Sequence, residues 1–468
     1  MMKSILVFLV VPSLAFSCSK ESVEEKPHIF LIYVDDLRPE IGAYGNEIVQ
    51  TPHLDALGED ALIFNKAYAN IPVCGASRAS MLTGLMPNRT RFMGYLGNAE
   101  EEVPDATTIP AFLKQNGYRT LSFGKVFHTL TDSEHVWSEP PYRGPKKSNK
   151  DYVLQENIDE DNTNGLRRAG FFEIPDTTDD AYLDGKIPLV AIPKLKESLE
   201  MDSSLFIALG FWKPHLPFNA PKQYWDLYDP VELPYPINHF TPQNAPEESL
   251  HQFDELRSYT NIPNDSIPLD SAVVRKLIHG YYAATSYMDA QVGKFIKALK
   301  EEGIYDESLI LLVGDHGWFL GEHTLWCKHA NYRNALRTAL MVKFPGNERK
   351  GMTQLPVGLV ELYPTLADLL DAQAPDNLHA ESLLPWLDKD ESNYMEKEVY
   401  CRYGDGETLI KGGFAYTEYY TNEGTLTGKM LYDHSNDLAE NVNVVHEVDD
   451  ATVADLSESL LRHINRYK

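Results

Sequence analysis

The sequence predicts an α/β sandwich built on a large, mainly parallel sheet, with a smaller α+β unit at the carboxyl end. Two observations carry the first part. Short, continuous apolar runs recur along the chain, the form of strands buried on both faces, and helical segments separate them. Strands that alternate with helices stack into layers around a parallel sheet. The third observation is a change of character near residue 380, after which short strand patterns follow one another without intervening helices.

The first 20 residues, MMKSILVFLVVPSLAFSCSK, put Lys3 before an apolar run over 5–16 and then small residues, the layout of a secretory signal. The run is too short to span a bilayer permanently. A buried amino-terminal strand is the alternative, but the charged SKESVEEK stretch that follows at once favours export, so residues 1–26 are set apart from the fold. Cys18 follows Ala15, Phe16 and Ser17, a loose bacterial lipoprotein box. The expectation is an exported protein of a bacterium, periplasmic or held at the outer membrane or cell surface as a lipoprotein. Its only membrane contact would be a lipid on Cys18.

IFLIYV at 29–34 is the first buried strand and ends in Asp35 and Asp36. The runs at 118–125, 204–211 and 308–316 repeat the pattern and end near Lys125, Phe211 and the Asp315-His316 pair. In such sheets ligands gather beyond the carboxyl ends of the strands, so the topology predicts that these polar groups meet at one edge. A long helix over 272–302 carries Val273, Leu277, Tyr281, Ala284, Met288, Val292, Phe295 and Leu299 at helical spacing and is closed by Gly303. The spans 139–180 and 229–271 read as loops that could shape a cleft. After residue 380, the segments at 398–403, 412–421 and 428–434 read as antiparallel strands, followed by an amphipathic helix over 451–467. This divides the chain into 27–380 and 381–468, with no internal repeat.

Forty-two basic against 69 acidic residues give a net charge of −27, which argues against nucleic acid as partner, since phosphate contacts need a basic surface. An anionic substrate would need a local cluster of cations to overcome the global field. Only four cysteines occur, Cys18, Cys74, Cys327 and Cys401, so disulfides do not organise the fold, and pairing of Cys327 with Cys401 is left open.

A lone cysteine is usually a small buried hydrophobe. Cys74, however, precedes Ser77 and Arg78 and a short helical stretch ending at Gly84, near a helix amino terminus where anions bind. Here the chain resembles the type I sulfatases, whose signature is Cys-x-Pro/Ala-Ser-Arg followed by Leu-Thr-Gly. Cys74, Ala76, Ser77, Arg78, Leu82, Thr83 and Gly84 match it. The resemblance implies an alkaline-phosphatase-like sandwich with a catalytic domain over 27–380. It also implies that Cys74 is oxidised to formylglycine by a formylglycine-generating or an anaerobic sulfatase-maturating enzyme. An aldehyde hydrate offers one oxygen to displace an alcohol from sulfur and a second whose collapse releases sulfate, a step open to neither serine nor thiol.

Adjacent aspartates on a regular strand point to opposite faces, so Asp35 and Asp36 can share an ion only where the strand breaks into its loop. An exposed turn or helix cap is the plainer reading of such a pair. The family pairs them with a later Asp-His or Asp-Asn, here Asp315 and His316. The implied metal set is therefore Asp35, Asp36, residue 74, Asp315 and His316 around one divalent cation, Ca²⁺ or Mg²⁺, with His316 ligating or hydrogen-bonding. By the same resemblance Arg78 and Lys125 hold the formylglycine hydrate and His128 assists its collapse. His215 and Lys328 contact the sulfate and protonate the departing alcohol. Lys213, Trp318 and His323 are candidate substrate contacts, although Trp318 can equally pack.

The resemblance extends to Leu431-Tyr432-Asp433 and Asp437. Asp315-His316-Gly317 with Lys328, and Phe211-x-Lys213-Pro214-His215-x-Pro217-Phe218, look most like iduronate-2-sulfatases. That suggests a 2-sulfated uronic acid in a glycosaminoglycan or an algal polysaccharide such as ulvan, with a sulfate at another sugar position as the alternative. A phosphatase or phosphodiesterase on the same scaffold would share the carboxylates but normally carry Ser or Thr as nucleophile. A non-catalytic carbohydrate-binding protein would keep the pocket without the modified side chain.

Overall fold

The computed structural model describes residues 26–467, apart from 146, 147, 149, 164–167, 202, 252, 253 and 264–267. Residues 1–25 of the proposed signal segment, Cys18 among them, therefore lie outside the described residues. Seven strands form the main sheet: β1 (Ile29–Val34), β2 (Leu62–Tyr68), β3 (Arg119–Gly124), β4 (Leu205–Phe211), β5 (Leu309–Gly314), β6 (Leu340–Lys343) and β7 (Gly351–Gly358). Their order is β7-β2-β6-β5-β1-β4-β3. Six strands run the same way, and β6 alone runs antiparallel, hydrogen-bonded between β5 and β2.

Strict alternation along the central strands explains the sandwich. Phe30, Ile32 and Val34 of β1 join one core with Ile207, Leu209, Ile310 and Leu312, while Ile29, Leu31 and Tyr33 join the other with Phe206, Ala208, Leu311 and Val313. The first core is roofed by α2 (Leu183–Leu199) and α3 (Ser271–Glu301), the second by α1 (Cys74–Thr83) and the shorter helices at Ile109–Gln115 and Leu362–Leu369. The long helix starts where its cap is: the Asp270 side chain accepts the Ala272 N–H at 2.8 Å.

β2, β6 and β7 carried no reading from the sequence, because β2 and β7 mix polar residues into their runs and β6 is only four residues long. The 139–180 span is not all loop, since it holds a helix at Gln155–Thr163.

The carboxyl-terminal sheet has four antiparallel strands, β8 (Val399–Tyr403), β9 (Gly406–Lys411), β10 (Phe414–Tyr420) and β11 (Leu426–Asp433). β9 is one more than the sequence predicted; its GETLIK opens on glycine and a charge and shows little alternation. Helix α4 (Asp450–Arg466) covers one face through Leu456 and Leu460 against Tyr400, Leu409, Tyr416 and Leu431. The other face packs on Tyr68, Phe319 and Leu336 of the main unit. Cys327 and Cys401 are both buried free thiols, so no bridge joins them.

Candidate active site

The carboxyl ends of the strands deliver the predicted groups to one edge of the sheet. Asp36 adopts a left-handed backbone (φ 61°), the break needed to turn its side chain toward the same site as Asp35. Its N–H donates to Asp315 Oδ1 at 2.9 Å, tying the end of β1 to the end of β5. Oxygens of Asp35, Asp36 and Asp315 lie within 4.8 Å of one another, and all three residues are fully buried.

Cys74 opens α1, the first residue after the Val73 cap, with Sγ 4.0 Å from Asp36 Oδ1 and 3.3 Å from His316 Nε2. The backbone around it is tightly packed: a Cβ on Gly75 would meet the Tyr95 carbonyl oxygen at 2.1 Å, so only glycine fits there. Burial, then the Asp35 charge, pushes the Cys74 thiol up to about 12, which leaves the unmodified thiol protonated at neutral pH.

Cations bind this acidic cluster together. Arg78, itself buried on α1, donates through Nε to Asp315 Oδ2 at 2.9 Å and through Nη2 to Asp35 Oδ1 at 3.4 Å; Nη1 donates to the Lys125 and Val126 carbonyls. Lys125 Nζ is 2.5 Å from Asp35 Oδ2. Lys328 Nζ donates to Asp36 Oδ1 at 3.0 Å and pairs with Glu255 Oε2 at 3.0 Å. Burial alone would raise Asp35, but Lys125, His215 and Arg78 together hold it well below the usual carboxylate range. Burial drives Asp36 well above that range despite Lys328, with Cys74 and Asp35 adding to the rise. Three converging hard oxygen donors at such a cost are the donor set for a Ca²⁺- or Mg²⁺-type ion, and His316, with Nε2 3.4 Å from Asp36 Oδ1 and 3.6 Å from Asp315 Oδ1, borders it.

A family model described as Sulfatase matches residues 27–372, and one described as N-sulphoglucosamine sulphohydrolase, C-terminal, matches 321–467. The chain belongs to the sulfatase family. Human iduronate 2-sulfatase is 30% identical over 431 residues, covering 83% of this chain and 78% of the human protein. A solved structure of a protein bound to its substrate D-glucosamine-2-N,6-O-disulfate superposes with a TM-score of 0.70 at 18% identity over 95% of this chain and 98% of that one. The phosphonate monoester hydrolase of Agrobacterium radiobacter gives 0.73 at 20% identity over 95% and 96%. At those identities the superpositions speak for the fold. Sulfatases work with a formylglycine and a divalent cation, and the cluster at the sheet edge has the ligands for such an ion.

Two histidines line a cavity of this sulfatase beside Asp35. His215 Nε2 is 3.2 Å from Glu255 Oε1 and 3.9 Å from Asp36 Oδ2, and burial, then Lys328, pushes its pKa down to about 3. His128 has a buried Nδ1 without a protein partner among the described residues, and burial, then Lys125, pushes it down to about 2. The cavity, of about 200 Å³, opens beside Asp35, Lys125, His128 and His215.

The three candidate substrate contacts, Lys213, Trp318 and His323, are all buried. Trp318 is 1% exposed, stacked on Tyr281 with Lys328 over its ring at 5.0 Å, so it packs beneath the site and offers no face to a sugar. His323 is equally buried, its ring against Tyr332 and its backbone N–H donated to the Asn238 carbonyl at 2.8 Å, so it supports that loop. Lys213 lines the cavity, but its ammonium donates to the Pro217 carbonyl at 2.7 Å and that of His215 at 3.2 Å, bracing its own loop.

Sequence reasoning missed Glu255, which bridges His215 and Lys328, and Arg143, whose guanidinium donates to the carbonyls of Phe127, His128 and Thr129 and so fixes the His128 loop. Both come from the spans read only as loops. Neither sits in a periodic segment or a motif that would have singled it out.

Proposed function

We propose that this sulfatase hydrolyses a sulfate ester on a carbohydrate, the 2-O-sulfate of a uronic acid in a glycosaminoglycan or an algal polysaccharide such as ulvan, with residue 74 acting as formylglycine. The observation that carries the reading is the seat of Cys74 Sγ, 4.0 Å from Asp36 and 3.3 Å from His316, at the mouth of a helix and against three convergent carboxylates. The uronate assignment is supported by the 30% identity to human iduronate 2-sulfatase.

Oxidised and hydrated, residue 74 supplies two oxygens, one to displace the sugar alcohol from sulfur and one whose collapse expels sulfate. Asp35, Asp36 and Asp315 would hold a divalent cation, Ca²⁺ or alternatively Mg²⁺, which when bound would supply charge that lowers the pKa of such oxygens. Arg78 and Lys125 hold the carboxylate frame, and Lys328 offsets charge on the sulfate. His128 accepts the proton released when the hydrate collapses, and His215 with Lys328 protonates the departing alcohol. We further propose export with a lipid on Cys18, and maturation by a formylglycine-generating or anaerobic maturating enzyme. An intact mass without lipid and a peptide retaining the Cys74 thiol would count against these two points.

The test is sulfate release from a panel of sulfated oligosaccharides and matching phosphate esters, using protein whose Cys74 peptide has been weighed. Preferential turnover of 2-O-sulfated uronates is expected. Cys74→Ala should lose at least about 10³ in kcat while melting as the parent does; appreciable remaining sulfatase turnover would refute the nucleophile.

A further inference from the structure

We propose that Lys150 takes the carboxylate of the sulfated sugar and thereby selects acidic sugars, an inference that rests on the uronate reading above. The cavity beside the catalytic groups is lined by four basic side chains of Lys and Arg type among the described residues: Lys125, Arg143, Lys150 and Lys213. Three of them are committed to the protein. Lys125 is paired with Asp35, Lys213 donates to the carbonyls of Pro217 and His215, and Arg143 donates to those of Phe127, His128 and Thr129.

Lys150 differs. Its backbone is anchored, the N–H donating to Asp161 Oδ2 at 2.9 Å and the carbonyl accepting from Asn219 at 3.4 Å, while its ammonium has no hydrogen bond or ion pair among the described residues. Nor is it neutralised by the carboxylates of the same cavity. Asp184 accepts the N–H groups of Trp212 and Lys213 at 3.0 and 2.8 Å, and Asp151 accepts that of Leu183 at 2.7 Å. Burial, then Arg168, pushes the Lys150 ammonium down to about 7, and an anion entering the cavity would favour its charged form.

A 2-sulfated uronate carries two anions. Its sulfate belongs at the carboxylate and cation cluster by residue 74, and its carboxylate is the anion left for a lone ammonium across the cavity. In a protein of net charge −27, a cation inside the cavity that is unpaired among the described residues is the local counter-field that an anionic sugar requires.

The experiment compares the mature full-length enzyme with Lys150→Met and Lys150→Arg on a 2-O-sulfated uronate disaccharide and on its carboxyl-reduced analogue. For the parent, kcat/KM should favour the carboxylate substrate. In Lys150→Met that preference should fall about 10- to 100-fold, the size of one charge-assisted hydrogen bond, mostly through KM, with partial rescue in Lys150→Arg. An equal loss on both substrates, or an unchanged preference, overturns the role of Lys150 alone. A parent enzyme that desulfates other sugars but neither of this pair overturns the uronate reading, and this inference with it.

Discussion

Asp315 serves three partners at once: its Oδ1 accepts the Asp36 N–H, its Oδ2 accepts Arg78 Nε, and its carbonyl accepts the Ser77 hydroxyl at 2.5 Å. Its carboxylate is also one of the three oxygen donors facing the cation position. Replacing it by asparagine keeps an acceptor for the Asp36 N–H but removes one of the charges on which the ion and Arg78 depend. Asp315→Asn is expected to weaken divalent-cation binding at least about tenfold and to cost about 10² or more in rate, with the fold retained. Metal content by atomic absorption, beside kcat on a sulfate ester, checks it. Full metal loading with full rate would remove Asp315 from the ion's ligands. The residues recognised from the sequence are those that end a strand or sit in a contiguous motif, such as Asp35, Asp36, Cys74, Arg78, Asp315 and His316. For Trp318 and His323 motif membership does not reveal exposure: both are nearly inaccessible, and packing alone decided that.

At the scale of elements, α1 is the piece on which everything converges. Every residue from Cys74 to Thr83 is buried, so the helix is held by packing on all sides and not by amphipathicity. Gly84 ends it in a left-handed conformation (φ 69°). Its first turn is wedged against the Tyr95–Gly97 backbone, which a new Cβ at residue 75 cannot displace without moving Cys74. Gly75→Ala should destabilise by roughly 1–3 kcal/mol, read as a lowered denaturation midpoint, and depress activity further than the lost stability explains. An alanine variant with parental stability and rate would show that the segment 92–97 yields. The strands of the central sheet were legible because burial on both faces writes continuous apolar runs into β1, β4 and β5. β2, β6, β7 and β9 were not, since shorter or half-polar strands take their identity from the neighbour they pair with.

For the whole molecule, the net charge of −27 sets a field that opposes polyanionic substrates outside the cavity, while the buried cations act only at short range. Raising ionic strength from about 10 to about 100 mM, where the Debye length shortens to roughly 10 Å, should raise kcat/KM on a sulfated oligosaccharide several-fold and change it little on a monoanionic aryl sulfate. Steady-state kinetics over a salt series checks this, and a falling slope would mean that the local cations dominate the encounter. Among the described residues no helix is long and apolar enough to cross a membrane.

The sequence by itself determined the layered fold, the family, and the groups at the strand ends, because backbone hydrogen bonding, burial and a contiguous motif are local constraints that leave local marks. Only the tertiary structure decided that β6 reverses and that Glu255 joins His215 to Lys328. It alone left the Lys150 ammonium without a partner among the described residues of the cavity while burying Trp318. Those outcomes depend on where distant loops come to rest against the sheet, and no periodicity in a single chain encodes the distance between two loops.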